Sequence, residues 1–222
     1  MNLGIGFSEL LLLAILGLLF LKPDQLAYSL KKWKLLKGKY FRLKYDIEDT
    51  FASAWRPEKE SKKVKESKWV INEIKKLKEF QEAPVIAAFF PLLSEPDIKP
   101  LLKELIATKT LLLPRIKENS EMDFVAISSL GQDLTEGHFG ILEPLTSLPA
   151  WSDSIALFIV PGVRFSRDGG RVGHGKGYYD RFLPKHPNAY KVGVAFSTQI
   201  ENKPILLKPH DVKMNYIVAL DN

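Results

Sequence analysis

The sequence contains no cysteine among its 222 residues, so disulfide bonds and thiolate catalysis are excluded. It contains only four histidines, and they lack the spacing of a zinc site. Internal repeats and low-complexity tracts are also missing. The chain is long enough for one sizeable hydrophobic core, and nothing in the sequence indicates a second.

Positive charge is concentrated in one short segment. The formal net charge is +6, and residues 22–44 carry eight bases and one acid, whereas acids and bases balance in the rest of the chain after residue 44. A pI of about 9.3 would be typical of a nucleic-acid-binding protein if the bases lay on the globular part. Because they adjoin an apolar segment instead, we expect no nucleic acid partner and predict contact with a membrane.

The apolar segment is Leu3–Leu21, whose length is close to the ~20 residues of a membrane-spanning helix. Positive charge before the apolar core and a cleavage site after it would indicate a secretory signal peptide, and both are missing. We therefore predict a transmembrane helix over residues 1–22. The bases that follow it place the N-terminus outside and the remainder of the chain in the cytoplasm. The predicted location is the cytoplasmic membrane of a bacterium, with a single span.

Residues 23–56 are predicted to form a basic amphipathic helix and linker. Apolar residues recur at spacings of three and four and share one helical face: Leu26, Leu30, Trp33, Leu36, Tyr40 and Leu43. Lysines and Arg42 occupy the other faces, which is typical of a helix lying on an anionic membrane. A helix packed on its own domain is the alternative, and the sequence leaves it open.

Residues 57–222 alternate helical and strand patterns, which predicts an α/β domain with a largely parallel sheet flanked by helices. Helices are predicted within 57–80 and over 96–108. The predicted strands are Val85–Phe90, Thr110–Leu113, Phe124–Ile127, Ile155–Val160, Tyr190–Phe196 and Tyr216–Leu220. Residues 129–153 are interpreted as a loop region flanking the active site. Ligands of such sheets bind at the carboxyl ends of the strands.

A glycine-rich segment, residues 169–181, follows the predicted strand Ile155–Val160 and has the composition of a phosphate-handling loop. Its glycines let backbone amides approach an anion, its lysine and arginines supply positive charge, and Asp180 is able to hold a metal ion. A helix beginning near Tyr178 would direct its amides towards a phosphate. The spacing matches neither the nucleoside-triphosphate P-loop nor the dinucleotide-binding pattern. A solvated turn is the alternative.

Several motifs in order resemble the 5-formyltetrahydrofolate cyclo-ligases, also called 5,10-methenyltetrahydrofolate synthetases. They are Phe90-Pro91-Leu92 with Glu95-Pro96-Asp97, Leu113-Pro114-Arg115, Phe139-Gly140-Ile141, Pro161-Gly162-Val163, the segment from Gly169 to Leu183, and Pro209-His210-Asp211. The resemblance covers roughly residues 45–222. It implies that ATP phosphorylates the formyl oxygen of 5-formyltetrahydrofolate, that the N10 amine attacks, and that phosphate leaves to give 5,10-methenyltetrahydrofolate.

The resemblance also implies a role for individual residues. Catalytic roles fall to Lys176, Arg171 and Tyr178. ATP binding falls to Lys44, Arg171, Gly173, His174, Gly175, Lys176, Gly177, Tyr178 and Tyr179. Folate binding falls to Glu95, Gly175, Lys176, Gly177, Tyr178 and Tyr179, and the magnesium ligands are Asp180 and Asp211. Two positions depart from the family pattern, because Glu48 stands where an arginine is usual and Ser166 stands where an acid is usual.

The first 45 residues resemble a different family, the small membrane components of the twin-arginine protein translocase. Phe7, Glu9 and Pro23 match characteristic positions, although the usual Gly-Pro hinge is Lys22-Pro23 in this chain. A carboxylate near a membrane span is costly and is therefore functional or interfacial. The resemblance allows translocase components as partners. It also allows a second hypothesis, in which the globular part is inactive and serves as a binding module of a translocase-type protein.

Overall fold

The structure, a computed structural model, describes residues 61–117, 121–137 and 141–221. The predicted transmembrane helix, the predicted amphipathic segment and residues 57–60 of the predicted domain lie outside these residues. Within the described ranges, no helix combines the length and the apolar character needed to cross a membrane.

The described residues form helices and strands in alternation. The α-helices are α1 (Lys62–Lys76), α2 (Lys78–Glu82), α3 (Lys99–Thr108) and α4 (Tyr178–Phe182). The strands are β1 (Val85–Ala87), β2 (Thr110–Ile116), β3 (Met122–Ile127), β4 (Leu134–Glu136), β5 (Leu142–Pro144), β6 (Leu157–Val160), β7 (Arg164–Ser166), β8 (Arg171–Val172), β9 (Tyr190–Val194), β10 (Ile200–Glu201) and β11 (Tyr216–Val218). Short 3₁₀ turns cover Leu183–Lys185 and Ser197–Gln199.

Six strands form the central sheet in the order β11–β9–β6–β1–β2–β3. Neighbouring strands are parallel except for β2 and β3, which are antiparallel. This confirms the prediction of an α/β domain with a largely parallel sheet. Each predicted strand is present, and its ends differ from the prediction by no more than three residues. The parallel strands are nearly continuous apolar runs because both faces of such a sheet are covered.

Two apolar layers cover the two faces of the central sheet. Alternate residues of β6 belong to different layers: Leu157 and Ile159 pack on one side, and Phe158 and Val160 pack on the other. The first layer includes the buried faces of α1 and α3. Since successive strand residues point to opposite faces, a run of four apolar residues contributes to both layers.

Helix α1 lies within the helix predicted over residues 57–80. Its first turn is capped by the Ser61 hydroxyl, which accepts a hydrogen bond from the Val64 amide at 3.4 Å. The helix ends at Leu77, whose backbone is extended, and α2 follows. The helix predicted over 96–108 begins only at Lys99. Asp97 delays it, because its side chain accepts the Lys99 amide at 3.1 Å.

The prediction of a loop over residues 129–153 is wrong in part, because this region contains the antiparallel hairpin β4–β5. The Glu143 carboxylate accepts the Ile116 amide at 3.0 Å and ties the hairpin to β2. Arg115 donates to the carbonyl oxygens of Leu145 and Leu148 at 2.7 and 2.9 Å. Strands of three residues are too short for a clear alternation, and tertiary hydrogen bonds stabilise them here.

A small second sheet, in the order β10–β7–β8, was not predicted. Strand β7 is antiparallel to β8 and parallel to β10. The sheet places Arg171 in a strand, whereas the sequence analysis assigned it to the glycine-rich loop. The helix predicted to begin near Tyr178 is present as α4, but it comprises only five residues.

Candidate active site

The parallel strands β1, β6 and β9 end at the same edge of the sheet, and the segments that follow them carry most of the predicted site residues. Glu95 follows β1, the glycine-rich segment follows β6 and β7, and Asp211 precedes β11. The fold thus brings residues more than one hundred positions apart to one place. This is the edge at which open α/β sheets bind ligands.

Glu95 is a buried carboxyl group. One of its oxygens accepts the Leu92 amide at 2.9 Å. Burial raises the pKa of Glu95 above its ordinary value of 4.5, and the opposing effects of the Leu92 hydrogen bond and of His174 are smaller. His174 lies on the solvent side, with its Nε2 3.8 Å from the other Glu95 oxygen. The structure therefore brings together two residues that the sequence analysis assigned to folate and ATP, respectively.

Arg171 and Asp180 form the main ion pair of the site. Arg171 Nη2 donates to both Asp180 oxygens at 2.9 Å, and both side chains are largely buried. Asp180 Oδ1 also accepts the Val212 amide at 3.3 Å. The Arg171 Nη1 atom reaches the Pro161 carbonyl at 3.4 Å, and its Nε is buried with no hydrogen-bond partner in the described parts of the chain.

Tyr179 lies beneath Arg171, with the guanidinium carbon 5.4 Å from the ring centroid. Its hydroxyl is buried and has no hydrogen-bond partner among the described residues. Burial raises the pKa of Tyr179, the Glu95 carboxylate raises it further, and Arg171 opposes the shift. Buried donors are usually paired, so the Tyr179 hydroxyl and the Arg171 Nε are two donors that lack an acceptor among the described residues.

The glycine-rich loop needs its glycines for two different reasons. Gly175 and Gly177 have φ values of +81° and +64°, which side-chain-bearing residues rarely adopt. Gly173 leaves room for the arginine, because an added Cβ would lie 2.9 Å from Arg171 Nη1 and would displace that group. Lys176 is exposed at the tip, and its carbonyl accepts Arg181 Nη1 at 2.8 Å.

The Arg181 guanidinium also lies over the Tyr178 ring, with its central carbon 5.4 Å from the ring centroid. The stacked pair therefore lies beside the tip of the loop, where Lys176 is exposed.

A family model described as the 5-formyltetrahydrofolate cyclo-ligase family matches residues 44–220. The chain belongs to this family. It is 32% identical over 153 residues to the mitochondrial 5-formyltetrahydrofolate cyclo-ligase of Arabidopsis thaliana, which covers 57% of this chain and 55% of that protein. It is 31% identical over 125 residues to a probable 5-formyltetrahydrofolate cyclo-ligase of Schizosaccharomyces pombe, which covers 50% of this chain and 61% of that protein.

Among solved structures, the chain is similar to Aquifex aeolicus 5,10-methenyltetrahydrofolate synthetase. The TM-score is 0.62 and the identity is 34%, and the match covers 71% of this chain and 79% of that chain. The chain spans only 55% and 61% of the two curated relatives named above. The matched residues begin at Lys44, so the family assignment concerns the globular part and not the translocase-like segment.

The cyclo-ligase motifs at residues 90–98 and 161–181 meet where His174 approaches Glu95. Lys44 and Glu48 lie outside the described residues. Ser166, the second departure from the family pattern, is buried at the end of β7. Its hydroxyl donates to Asp168 at 2.6 Å and accepts the Ile205 amide at 3.2 Å. A carboxylate therefore lies beside Ser166 even though residue 166 itself is not an acid.

The two predicted magnesium ligands are neighbours in space, because Val212, the residue after Asp211, donates to Asp180. Asp211 accepts the Lys208 amide at 2.7 Å through one oxygen. No group of three or more metal-ligating side chains occurs in the part of the chain that the structure describes. Magnesium commonly binds through one or two carboxylates and completes its shell with phosphate and water. Asp180 and Asp211 are carboxylates of the kind that holds magnesium together with phosphate and water, and Arg171 already bonds both oxygens of Asp180.

Sequence reasoning missed Gln199, which connects two segments of this edge. Its Nε2 donates to the carbonyls of Gly162 and Val163 at 3.0 and 3.2 Å. Its Oε1 accepts the Phe196 amide at 2.8 Å. Each of these bonds is a contact of one side chain with the backbone, so neither periodicity nor a motif in the sequence could have shown it.

Proposed function

We propose that this protein is an ATP-dependent 5-formyltetrahydrofolate cyclo-ligase that forms 5,10-methenyltetrahydrofolate, ADP and phosphate. Family membership supports the proposal, and the observation that carries it is the site itself. The site contains the buried carboxyl group of Glu95 and the buried hydroxyl of Tyr179, which has no hydrogen-bond partner among the described residues. It also contains the Arg171 guanidinium, whose Nε makes no hydrogen bond there, and a glycine-rich loop with an exposed lysine. Such a site has separate groups for a heterocyclic substrate and for phosphates.

The reaction needs the formyl oxygen to become a leaving group, because an amide-like formyl carbon is a poor electrophile. The formyl oxygen attacks the γ-phosphorus, and the bond to ADP breaks. N10 then attacks the formyl carbon, loses its proton, and the carbon–oxygen bond to phosphate breaks. The enzyme's contribution is mainly to position the two substrates and to stabilise charge.

Lys176 and Arg171 are suited to phosphate charge, each in a different way. Lys176 is exposed at the loop tip and is free to follow a transferring phosphoryl group. Arg171 is fixed by Asp180, and its Nη1 and Nε are only weakly used within the protein. A rigid guanidinium and a mobile ammonium would together cover the charge that develops on the phosphate oxygens. Tyr178 and the backbone of Gly173, Gly175 and Gly177 complete the nucleotide contacts.

Glu95 and Tyr179 are assigned to the folate. Glu95 offers a carboxyl group in a site from which water is largely excluded, and Tyr179 offers a hydroxyl donor whose partner would be a ligand oxygen. A hydrogen bond to a charged group is worth about 1.5–3 kcal/mol, so a folate N–H bound to Glu95 would add substantially to affinity.

A test of this function is the ATP-dependent formation of methenyltetrahydrofolate by the purified full-length chain in detergent. We expect product formation with ATP and none with a non-hydrolysable ATP analogue. Failure to form product with ATP, under conditions in which the protein is folded, would refute the assignment. It would also favour the binding-module hypothesis.

Magnesium is assigned to Asp180 and Asp211, where it would neutralise the ATP phosphates. Asp180→Asn and Asp211→Asn each remove a carboxylate charge with little change in shape, so turnover should collapse and nucleotide binding should lose its dependence on magnesium. Asp153→Asn is the control, because Asp153 is exposed. Magnesium titrations of nucleotide binding give a readout apart from turnover. Normal magnesium dependence in both variants would show that the metal is held elsewhere.

Residues 1–22 are proposed to anchor the enzyme in the cytoplasmic membrane with the catalytic domain in the cytoplasm. Leu3–Leu21 is long enough to span, and the bases after it favour retention on the inner side. Carbonate extraction should leave the full-length protein in the membrane fraction, whereas its release would refute the anchor. Co-purification with translocase components would test the second resemblance separately.

A further inference from the structure

Glu66 is a buried acid on α1 to which the proposed reaction gives no role. Only 4% of the residue is exposed. One carboxylate oxygen accepts the Ser197 amide at 2.9 Å, and the other accepts the Ser197 hydroxyl at 3.1 Å. Lys62, which is mostly exposed, approaches the carboxylate at 3.6 Å. Burying a carboxylate costs free energy unless it is hydrogen-bonded. The contact with Ser197 therefore fixes the position of α1 relative to the turn that contains Ser197.

The 3₁₀ turn that contains Ser197 is itself hydrogen-bonded to the segment that pairs with the strand of Arg171. Gln199, in the same turn, donates to the carbonyls of Gly162 and Val163. The Val163 amide in turn donates to the carbonyl of Val172 at 2.7 Å, and Val172 follows Arg171 in β8. A chain of hydrogen bonds therefore leads from α1 to the backbone beside the Arg171–Asp180 pair.

Ser67, the next residue of α1, binds the segment that carries Glu95. The Ser67 hydroxyl accepts the Asp97 amide at 2.9 Å and donates to the Lys63 carbonyl at 2.8 Å. Lys63 Nζ donates to the Leu93 carbonyl at 3.4 Å. Residues 93 and 97 flank Glu95 closely in the chain. Adjacent residues of one rigid helix thus hold the Glu95 segment and the turn that leads to Arg171.

We infer that Glu66 is a positioning residue that, together with Ser67, fixes the separation of the folate side and the phosphate side of the site. The inference rests on the proposed function, in which a folate oxygen must meet the γ-phosphorus. Reactions of this kind depend on near-contact geometry, and a displacement of about 1 Å can cost about 10²-fold in rate. Neither Glu66 nor Ser67 is required to touch a substrate.

The test compares Glu66→Ala and Glu66→Gln with Glu73→Ala. Glu73 lies on the same helix and pairs with Lys76 near the surface, so it is the matched control. Glu66→Ala removes both bonds to Ser197. Glu66→Gln retains an acceptor for the Ser197 amide. It also gains an N–H group that can donate a hydrogen bond to the Ser197 hydroxyl. We expect kcat to fall at least about 10-fold in Glu66→Ala, to recover largely in Glu66→Gln, and to stay unchanged in Glu73→Ala.

The affinities for the separate substrates distinguish positioning from general damage. If Glu66 sets the separation of the two halves, Glu66→Ala should lower kcat much more than it raises the Kd of ATP or of the folate measured singly. An unchanged kcat for the folded variant would overturn the inference. So would a fall in kcat that Glu66→Gln does not reverse. Ser197→Ala, which removes only the hydroxyl bond, should show a smaller loss and keeps the question testable if Glu66→Ala does not fold.

Amide hydrogen exchange gives a result that does not depend on activity. The Ser197, Val163 and Phe196 amides should exchange faster in Glu66→Ala than in wild type, whereas Glu73→Ala should leave them unchanged. Unchanged exchange in Glu66→Ala would overturn the inference even if wild type were active. Faster exchange with an inactive wild-type protein would support the hydrogen-bond connection and refute the proposed function instead.

Discussion

Glu95 and Asp180 are two carboxyl groups at the same edge of the sheet, but their surroundings are opposite. Asp180 receives two hydrogen bonds from Arg171 and one from Val212. Glu95 receives one backbone amide, faces an exposed histidine at 3.8 Å, and has a raised pKa because it is buried. Asp180 thus has several hydrogen-bond partners within the protein, whereas Glu95 has few.

The difference corresponds to two roles within one site. A carboxylate that is hydrogen-bonded to an arginine stabilises that arginine and holds it in place. A buried carboxyl group with few hydrogen-bond partners is stabilised most when a ligand supplies the missing donors. Under the proposed function, the phosphate side of the site would therefore be largely organised before substrate arrives, and the folate side would be completed by the substrate.

The largest effect should come from Arg171→Ala, which leaves Asp180 without its partner in a largely buried place. We expect the free energy of unfolding to fall by about 3–5 kcal/mol, the usual cost of breaking a buried pair from one side. Urea denaturation measures it. Arg164→Ala removes an exposed pair with Glu201 and should cost no more than about 1 kcal/mol. Equal effects of the two variants would contradict the view that the Arg171–Asp180 pair organises the phosphate side.

The next effect concerns catalysis and not stability. Lys176→Ala should lower kcat by about 10²-fold, because one electrostatic contact with the transition state is lost. Folate affinity and the unfolding midpoint should change little, since Lys176 is exposed. Lys203→Ala, another exposed lysine, is the control. Steady-state kinetics measures the effect. Normal turnover in Lys176→Ala would show that the lysine is a solvated surface residue with no catalytic contact.

Glu95→Gln should weaken folate affinity by about 10- to 100-fold, which corresponds to about 1.5–3 kcal/mol for hydrogen bonds to a charged group. ATP affinity should remain near normal if Glu95 belongs only to the folate side. Titrations with each ligand alone measure both. Equal loss of the two affinities would remove the distinction between the two sides.

The same variant has a predicted pH signature. A raised pKa means that the folded state binds more protons than the unfolded chain between pH 4.5 and the folded pKa, so stability falls as pH rises through this window. Glu95→Gln is neutral throughout and removes this fall. The stability of the variant relative to wild type should therefore increase with pH, and denaturation at several pH values would show it. A constant difference would contradict the raised pKa.

Tyr179→Phe should have the smallest effect on stability. The hydroxyl is buried and has no partner in the part of the chain that the structure describes, so its removal should leave the unfolding free energy unchanged or increase it by up to about 1 kcal/mol. Ligand affinity should nevertheless fall, because the ligand oxygen would lose a donor. Thermal denaturation and ligand titration of this variant give the two numbers. A clear loss of stability without ligand would show that the hydroxyl is satisfied within the protein.

The sequence predicted the strands well and the small elements poorly. β6 is an apolar run of four residues, and burial on both faces of a parallel sheet makes it visible in the sequence. The hairpin β4–β5 and the sheet β10–β7–β8 have strands of two or three residues. Hydrogen bonds from Glu143 and Arg115 stabilise the hairpin, and such bonds depend on residues about thirty positions away.

The sequence by itself indicated the family through the resemblance of its ordered motifs. It indicated the class of fold and the glycine-rich loop as well, because these depend on periods of two and 3.6 residues and on local composition. It also indicated Glu95, Asp180 and Asp211. Only the tertiary structure decided that Arg171 pairs with Asp180, that the buried Tyr179 hydroxyl has no partner in the described ranges, and that Glu66 contacts Ser197 across 131 positions. Pairing and burial are properties of the space around a side chain, and the packing of distant segments determines that space.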